Sequence, residues 1–240
     1  MYKFLIFFFC TVINWLHAIE ASPLTVGTNA EFPPFCYIEN KEIVGFDIDV
    51  AKEIAHRLGR NITFKDMPFD ALIPEIVLGR VDFAAAGMSI TEERAKRVSF
   101  TRPYLSEDPL VIISSAKQKL NLDDLLDRIV VVVEGFTADF FMSSKPGIRL
   151  IRLPTQADGF LAVKSGRASA FVTAQSTVRN FFEVADSSQF HVEVIKGTGE
   201  TCALVVPKHQ AKMLENIQTA LDEMEKDGTM ALLKAKWKFQ

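Results

Sequence analysis

Strand-like and helix-like segments alternate along the chain, and this alternation restricts the fold more than any other feature of the sequence. Apolar residues at helical spacing run from Asp47 to Leu58, and Gly59 marks the stop. Residues 129–133 are five consecutive β-branched residues, a run typical of a parallel strand that is covered on both faces. Because the alternation continues throughout, it predicts an α/β protein with mostly parallel sheets.

The composition excludes several classes of protein. The chain has 240 residues, 48% hydrophobic and 24% charged, as in globular proteins rather than coiled coils or disordered tails. Its 27 basic and 30 acidic side chains leave a net charge of −3, so no strong basic field attracts nucleic acid. Three cysteines and four scattered histidines lack zinc-site spacing. We therefore expect no metal and no cofactor.

The first residues have the order of a secretory signal peptide, which we place at 1–22. Lys3 supplies a short positive region, and the run from Phe4 to Leu16 is almost wholly apolar. The small residues Ala18 and Ala21 follow as alternative cleavage positions. The apolar run is too short to span a bilayer, so this segment predicts export.

Two further expectations follow from export. Cys10 is preceded by Phe9, where a lipid-attachment site needs a small residue, so a lipid anchor is not expected. The compartment is oxidising, which makes Cys36 and Cys202 either a disulfide pair or two buried thiols. Pairing depends on geometry, and the sequence leaves both alternatives open.

Four loops are candidates for a binding site. In open α/β sheets, ligands bind beyond the carboxyl ends of the strands. The segments that follow predicted strands are residues 28–35, 68–70, 86–94 and 134–139. We expect the functional side chains to come from these loops.

The stretch G-M-S-I-T-E-E-R has the chemistry of a carboxylate site. Gly87 allows close approach of a ligand to the backbone, and Ser89 offers a hydroxyl. Arg94 lies in the first helical turn, where a cation opposes the helix dipole unless an anion binds there. The alternative is an ordinary surface ion pair between Arg94 and one of the two glutamates before it.

Aromatic and polar residues in two loops suit a flat or cationic group. Phe32 and Phe69 lie beside prolines, where loops usually carry polar residues. They either pack in the core or grip a ligand by cation–π attraction of ~0.5–2 kcal/mol. Asn29 and Glu31 share a loop with Phe32 and are candidates for the charged end of a ligand.

A third loop, V-E-G-F-T-A-D, follows the most hydrophobic strand. Gly135 and Thr137 stand where a helix begins, a position that suits an anion. Plain capping of that helix by Thr137 is the alternative.

The order of motifs along the chain resembles a known family. The motifs are V-G-T-N-A-E-F-P-P-F, G-F-D-I-D-V-A-K-E-I-A, F-D-A-L-I-P, G-M-S-I-T-E-E-R, F-T-R-P-Y, V-V-V-V-E-G-F-T and K-S-G-R-A-S-A. Each is weak alone, but in this order they resemble the amino-acid-binding proteins of ABC importers, solute-binding family 3. The similarity covers nearly all of residues 24–240.

The resemblance implies a two-lobe fold of the periplasmic binding-protein type (type II), with two hinge crossings. Lobe one would comprise residues 24–103 plus 203–240, and lobe two residues 109–198. The crossings would fall near 104–108 and 199–202. A ligand would bind between the lobes.

The resemblance also implies which groups would bind the α-carboxylate and the α-ammonium of the ligand. Arg94 would hold the α-carboxylate of an amino acid, helped by Ser89 and, from the opposite lobe, Thr137. The backbone around Ala86 and Gly87 would accept hydrogen bonds from the α-ammonium.

Other positions of the family pattern would contact the side chain and the α-ammonium of the ligand. Phe32 and Phe69 would sandwich the ligand side chain. Ala174 stands where many members have an aspartate for the α-ammonium, and Gln175 is a candidate substitute through its amide oxygen. Another acid is the alternative.

The resemblance implies a periplasmic, monomeric carrier without enzymatic activity. It would bind arginine or another basic amino acid, with glutamine next, and deliver it to an ABC permease. Glu31 would pair with a guanidinium, and Asn29 stands where basic-residue binders use aspartate. The alternatives are a cyclohexadienyl-dehydratase-like enzyme, with Glu31, Glu134 or Asp139 as its acid or base, or an exported surface module.

Overall fold

Two five-stranded sheets form the framework of the chain in a computed structural model that describes residues 22–239. The strands are β1 Leu24–Thr28, β2 Glu31–Phe32, β3 Cys36–Glu39, β4 Glu42–Val44, β5 Ile62–Asp66, β6 Phe83–Ala84, β7 Val98–Phe100, β8 Leu105–Asp108, β9 Leu110–Ser115, β10 Ile129–Val133, β11 Arg149–Leu153, β12 Ala170–Ala174, β13 Phe190–Val194, β14 Glu200–Cys202 and β15 Val205–Pro207. The α-helices are α1 Phe46–Arg57, α2 Leu72–Val77, α3 Glu92–Ala95, α4 Thr137–Ser143, α5 Gln156–Lys164, α6 Gln175–Phe182, α7 Ala211–Asp227 and α8 Thr229–Lys236. Short 3₁₀ helices cover Phe69–Ala71, Asp123–Leu125 and Ser187–Gln189.

The first sheet has the strand order β5-β1-β6-β15-β7. Strand β1 runs parallel to β5 and β6, whereas β15 runs antiparallel to β6 and β7. Helices α1, α2 and α7 pack around this sheet and its neighbouring elements. We call this unit the first lobe.

The second sheet has the order β11-β10-β12-β9-β13. Strand β10 runs parallel to β11 and β12, and β9 runs antiparallel to β12 and β13. Residues Val130 to Val133 of β10 are all buried, as the β-branched run predicts. Helices α4, α5 and α6 pack against this sheet, which we call the second lobe.

The α/β architecture with two lobes is confirmed, but the sheets are mixed rather than mostly parallel, because each has two parallel and two antiparallel strand pairs. A two-stranded sheet of β8 and β14 connects the lobes, with Glu200 opposite Asp108 and Cys202 opposite Leu105. Strand β8 leads from the first sheet to the second, and β14 leads back to β15. The chain thus crosses twice, and β15 joins the first sheet antiparallel to β6.

Helix α1 shows how the amphipathic pattern produces packing. The predicted helix of residues 47–58 is observed one residue earlier, over Phe46–Arg57. Its residues Ile48, Ala51 and Ile54 are fully buried, while Lys52 is exposed. Asp47 and Asp49 lie in the first turn, where carboxylates complement the helix dipole.

The last described residues are tied to both lobes. The ring centroid of Phe239 lies 5.1 Å from that of Phe35 in the first lobe. The Lys238 ammonium lies 2.6 Å from the carboxylate of Glu183 in the second lobe. Both side chains of this ion pair are at least half exposed, so it contributes ~1 kcal/mol or less.

The predicted signal peptide and Cys10 lie outside the described residues, apart from Ser22. Over residues 22–239, no helix combines the length and the apolar character needed to cross a bilayer. Cys36 and Cys202 are both buried thiols, so the second of the two alternatives is the one observed.

Candidate ligand-binding cleft

Arg94 reaches from the first lobe to the second. Thr91 caps α3, because its hydroxyl accepts a hydrogen bond from the Arg94 N–H at 3.2 Å. The guanidinium donates from Nη1 to the carbonyl oxygen of Ser89 at 2.7 Å and from Nη2 to that of Gly135 at 2.8 Å. Arg94 is only 4% exposed, so the alternative of a solvated surface ion pair does not describe it.

Aromatic rings lie over the same guanidinium. Its central carbon is 5.3 Å from the ring centroid of Phe69 in the first lobe and 5.6 Å from that of Phe140 in the second. These distances are within the range of cation–π attraction. The charge of Arg94 is therefore held in place at the junction of the lobes.

Ser89 provides a hydroxyl beside Arg94. The side chain is 4% exposed, and its Oγ is one of the buried side-chain atoms without a hydrogen-bond partner in the described part of the chain. A buried hydroxyl without a partner is destabilising by ~1–3 kcal/mol. The Ser89 hydroxyl is thus available to a ligand atom that reaches this position.

Phe32 and Phe69 do not face an open gap. The ring of Phe136 from the second lobe lies 4.2 Å from the Phe69 ring and 5.0 Å from the Phe32 ring, measured between centroids. Phe32 also stacks on Phe35 at 4.8 Å. Phe136 therefore contacts both of the rings that the resemblance assigns to the ligand side chain.

Only glycine fits at position 87, because of its backbone conformation and its close neighbours. Its φ is +58°, and a Cβ at this position would lie 2.6 Å from the Phe32 ring. The Gly87 N–H donates to Asp47 Oδ2 at 2.5 Å. Burial raises the pKa of Asp47 to about 6, although the hydrogen bond from Gly87 and the Tyr104 hydroxyl act in the opposite direction. Ala86 is fully buried just before this turn.

Asn29 and Glu31 differ in exposure. Asn29 is buried and donates from Nδ2 to the carbonyl oxygen of Met67 at 3.2 Å. Glu31 is exposed at the surface. Partial burial raises the pKa of Glu31, and the nearby carboxylates of Asp66 in the first lobe and Asp158 in the second raise it further. Glu31, Asp66 and Asp158 therefore form an acidic cluster to which both lobes contribute.

Thr137 and Gln175 both begin helices of the second lobe. Thr137 is the first residue of α4 and is half-buried, two residues from the carbonyl that Arg94 contacts. The Gln175 side-chain oxygen accepts a hydrogen bond from Arg179 Nη2 at 3.0 Å. Gln175 is therefore already engaged within its own helix.

Asp108 is a buried acid that sequence reasoning did not single out. It is 8% exposed, and its carboxylate accepts hydrogen bonds from the N–H and the hydroxyl of Ser176. Burial raises the pKa of Asp108, more than these hydrogen bonds and the charge of Arg179 lower it. Ser176 follows Ala174 by two residues, so this acid lies next to the family position that lacks one.

Phe136 is the other residue that the sequence analysis missed. It is the N-cap residue of α4 and makes no side-chain capping hydrogen bond. N-cap positions favour Ser, Thr, Asp and Asn, so a phenylalanine just before the predicted helix was the available signal.

Two cavities lie where the lobes meet. The first, of about 120 Å³, is lined by Phe69, Asp70, Ile73, Met88, Glu93, Arg94, Arg97, Gly135 and Phe140. The second, of about 280 Å³, is lined by Pro34, Tyr37, Ser176, Arg179, Asn180, Glu183, Lys236, Trp237, Lys238 and Phe239. The cavity at Arg94 is smaller than the ~300 Å³ at the lower end of ordinary ligand pockets. In the part of the chain that the structure describes, no group of three or more potential ligating side chains is arranged to hold a metal ion.

Comparisons with known proteins identify the family of the chain. The profile of the bacterial extracellular solute-binding proteins, family 3, matches residues 24–240. A relative from Escherichia coli (strain K12), named as a putative ABC transporter arginine-binding protein 2, is 30% identical over 92% of this chain and 93% of its own length.

Solved structures of amino-acid-binding proteins are also similar to this chain. An ancestral arginine-binding protein bound to arginine is 36% identical, with a TM-score of 0.86 over 91% of this chain and 99% of its own. The ancestral amino-acid-binding protein AncCDT-1, a precursor of cyclohexadienyl dehydratase, is 31% identical, with a TM-score of 0.82 over 91% of this chain and 96% of its own. The chain therefore belongs to the bacterial extracellular solute-binding proteins of family 3.

Proposed function

We propose that this protein captures a free amino acid, arginine or lysine being favoured, between its two lobes and delivers it to the permease of an ABC importer. The observation that carries the proposal is the buried Arg94 guanidinium, which joins the first lobe to the backbone of the second. A guanidinium in this place suits a carboxylate, because the two groups form paired, charge-assisted hydrogen bonds. The arginine-binding relatives support the choice of ligand.

The α-carboxylate would bind Arg94, Ser89 and Thr137. The buried Ser89 hydroxyl has no partner of its own, so a carboxylate oxygen there would remove an existing cost. Thr137 would contribute from the second lobe, across from Arg94. Each lobe thus supplies part of the site, and a ligand that contacts both stabilises the closed form.

The side chain of a basic amino acid would point toward the acidic cluster. Burial is the largest cause of the raised pKa of Glu31, and repulsion by the carboxylates of Asp66 and Asp158 adds to it. A guanidinium among them would relieve that repulsion, whereas a neutral glutamine side chain would not. Phe32 and Phe69 would provide the flat faces on which a guanidinium stacks. Asn29 would stand beside this cluster, its side chain held by Met67.

The α-ammonium would bind the backbone at Ala86 and Gly87, and we assign Asp108 as the acid that pairs with it. Asp108 is buried with a raised pKa, so a cation beside its carboxylate would stabilise the charged form. We favour Asp108 over Gln175, because the oxygen of Gln175 already accepts a hydrogen bond from Arg179.

We assign lobe one to residues 24–103 and 203–240 and lobe two to 109–198, with hinges at 104–108 and 199–202. The pairing of β8 with β14 supports the hinge positions. A single chain supplies both walls of the cleft, so we propose that it acts as a monomer. The apolar segment that precedes Ser22 supports export to the periplasm.

The second candidate is an enzyme like the dehydratase that descended from AncCDT-1. Such an enzyme needs a general acid or base directed into the cleft. Asp139 does not meet this requirement, since its carboxylate binds Arg152 at 3.0 Å and the Gly135 N–H at 3.1 Å. Glu134 is exposed. Glu31 is the remaining candidate, and we assign it to the side chain of the ligand, so we favour a carrier without enzymatic activity.

Calorimetric titration of the protein from Ser22 onward against the twenty amino acids tests the proposal. We expect heat from arginine and lysine, and weaker binding of glutamine. If neither arginine nor lysine gives binding heat at millimolar concentration, the basic-ligand hypothesis is wrong. Incubation with prephenate-like acids tests the second candidate function, since turnover of these acids would show that the protein is an enzyme.

A further inference from the structure

The turn at Gly135 and Phe136 places second-lobe atoms in the first-lobe site. The Gly135 carbonyl oxygen accepts the 2.8 Å hydrogen bond from Arg94. The Phe136 ring, 8% exposed, lies 4.2 Å from Phe69 and 5.0 Å from Phe32 between ring centroids. One short turn thus contacts both the guanidinium and the pair of aromatic faces.

These two contacts match the two groups that the proposed ligand would bring. The carbonyl oxygen stands where the α-carboxylate would bind Arg94, and the ring stands where the side chain would lie between Phe32 and Phe69. A carbonyl is a weaker acceptor for a guanidinium than a carboxylate. An amino acid can therefore displace the turn, but it must break existing contacts to do so.

The backbone of the turn is built for close approach between the lobes. Gly135 has φ +74°, and a Cβ there would lie 3.2 Å from the Asp70 Cβ in the first lobe. Phe136 occupies the N-cap of α4 without capping it. Its ring contributes to the contact between the lobes instead of to the start of its own helix.

We propose that the Gly135–Phe136 turn is an intramolecular competitor, which occupies the place of the ligand and holds the two lobes together. This inference rests on the proposed function for the identity of the displaced ligand. The docked turn lowers the fraction of molecules that are ready to bind, so the apparent affinity falls in proportion. Phe136 then determines how tightly any amino acid binds.

The conformational part is tested without ligand. Spin labels on Lys52→Cys in α1 and Lys164→Cys in α5, both exposed, report the distance between the lobes, while Cys36 and Cys202 are buried. We expect a short distance in otherwise unmodified protein and a longer one after Phe136→Ala or Phe136→Ser. The serine variant also restores a capping side chain, so opening in both variants is not an effect of a weakened helix.

Phe182→Ala is the matched control, because its ring contacts lie within the second lobe, with Phe160, Phe181 and Phe190. We expect the interlobe distance to stay short in this variant. An unchanged distance in both Phe136 variants would overturn the proposal.

Calorimetry with arginine tests the competition. We expect Phe136→Ala and Phe136→Ser to bind arginine about tenfold more tightly than the unmodified protein. Weaker binding would mean that the Phe136 ring contacts the bound ligand favourably. Equal binding would mean that Phe136 does not affect the affinity. Either result would overturn the proposal. If no variant binds any amino acid while the Phe136 variants still open, the proposed function fails and the docked turn stands.

Discussion

Arg94 Nη2 donates to the Gly135 carbonyl oxygen at 2.8 Å, so one side chain of the first lobe holds the backbone of the second. The same guanidinium holds the Ser89 carbonyl of its own lobe at 2.7 Å. This contact between the lobes is therefore made by the residue that we assign to the carboxylate of the ligand. Under the proposed function, binding and closure would depend on the same charge.

Replacing Arg94 by alanine is expected to weaken arginine binding by at least 100-fold. The carboxylate would lose two hydrogen bonds to a charged group, each contributing ~1.5–3 kcal/mol. Isothermal titration calorimetry measures the loss. Arg102→Ala serves as the control, since Arg102 is a surface residue paired with Asp222. The affinity of this variant for arginine should match that of the unmodified protein. Full binding by the Arg94 variant would refute the assignment.

Replacing Glu31 by glutamine is expected to reduce the preference for arginine over glutamine about threefold to fivefold. The change removes one negative charge from an exposed cluster, where a charge pair contributes ~1 kcal/mol or less. Competition calorimetry at low and high salt measures the ratio, and the effect should shrink at high salt. Glu39→Gln, at an exposed position on β3, is the control. An equal ratio in both variants would place the cluster outside the site.

Asp47 is expected to make stability depend on pH. Burial raises its pKa from 3.8 to about 6, so the folded state binds the proton more tightly than the unfolded state. Its contribution is fully present below pH 3.8 and is lost as the pH rises through about 6. Asp47→Asn carries no charge to desolvate, so its free energy of unfolding relative to the unmodified protein should rise by about 2 kcal/mol between pH 4 and pH 7.

Urea unfolding at several pH values measures this difference for Asp47→Asn. The amide oxygen can still accept the hydrogen bond from Gly87, so the local structure is kept. Parallel stability curves for the two proteins would show that the carboxyl group is not desolvated in the folded state.

The two described cysteines are expected to resist thiol reagents in the native protein. Cys36 is fully buried, burial raises its thiol pKa far above the usual value, and its Sγ donates to the Asn29 carbonyl oxygen at 3.0 Å. Cys202 is 1% exposed. Only the thiolate reacts readily, so labelling should require unfolding. Purified without reductant, the protein from Ser22 onward should show no reactive thiols when native and two in denaturant; none in denaturant would reveal a disulfide.

Local patterns predicted much of the fold. The β-branched run of residues 129–133 forms β10, and the helix expected at 47–58 is α1. The strand expected at 81–88 is reduced to Phe83–Ala84, because the chain turns at Gly87 with a positive φ. The small sheet of β2, β3 and β4 was not predicted, since its pairing spans a Pro-rich turn with no periodic signal.

The site could be predicted only in part. The position of Arg94 followed from a cation in the first turn of a helix, a local and unusual feature. Phe136 and Asp108 were missed because their roles arise from contacts between segments that are far apart in sequence. Phe136 contacts Phe32 and Phe69 of the other lobe, and Asp108 accepts hydrogen bonds from Ser176, 68 residues away in the sequence.

The place of β15 has a consequence for export. This strand lies between β6 and β7, with Val205 opposite both Ala84 and Phe100, so the first sheet lacks an inner strand until the chain is almost complete. Pairings over such long separations form slowly. The second sheet, by contrast, is built from one continuous stretch of chain. A polypeptide threaded through a membrane N-terminus first would carry its leading half in an unfinished, translocation-competent state and would complete it only after the final strand had crossed.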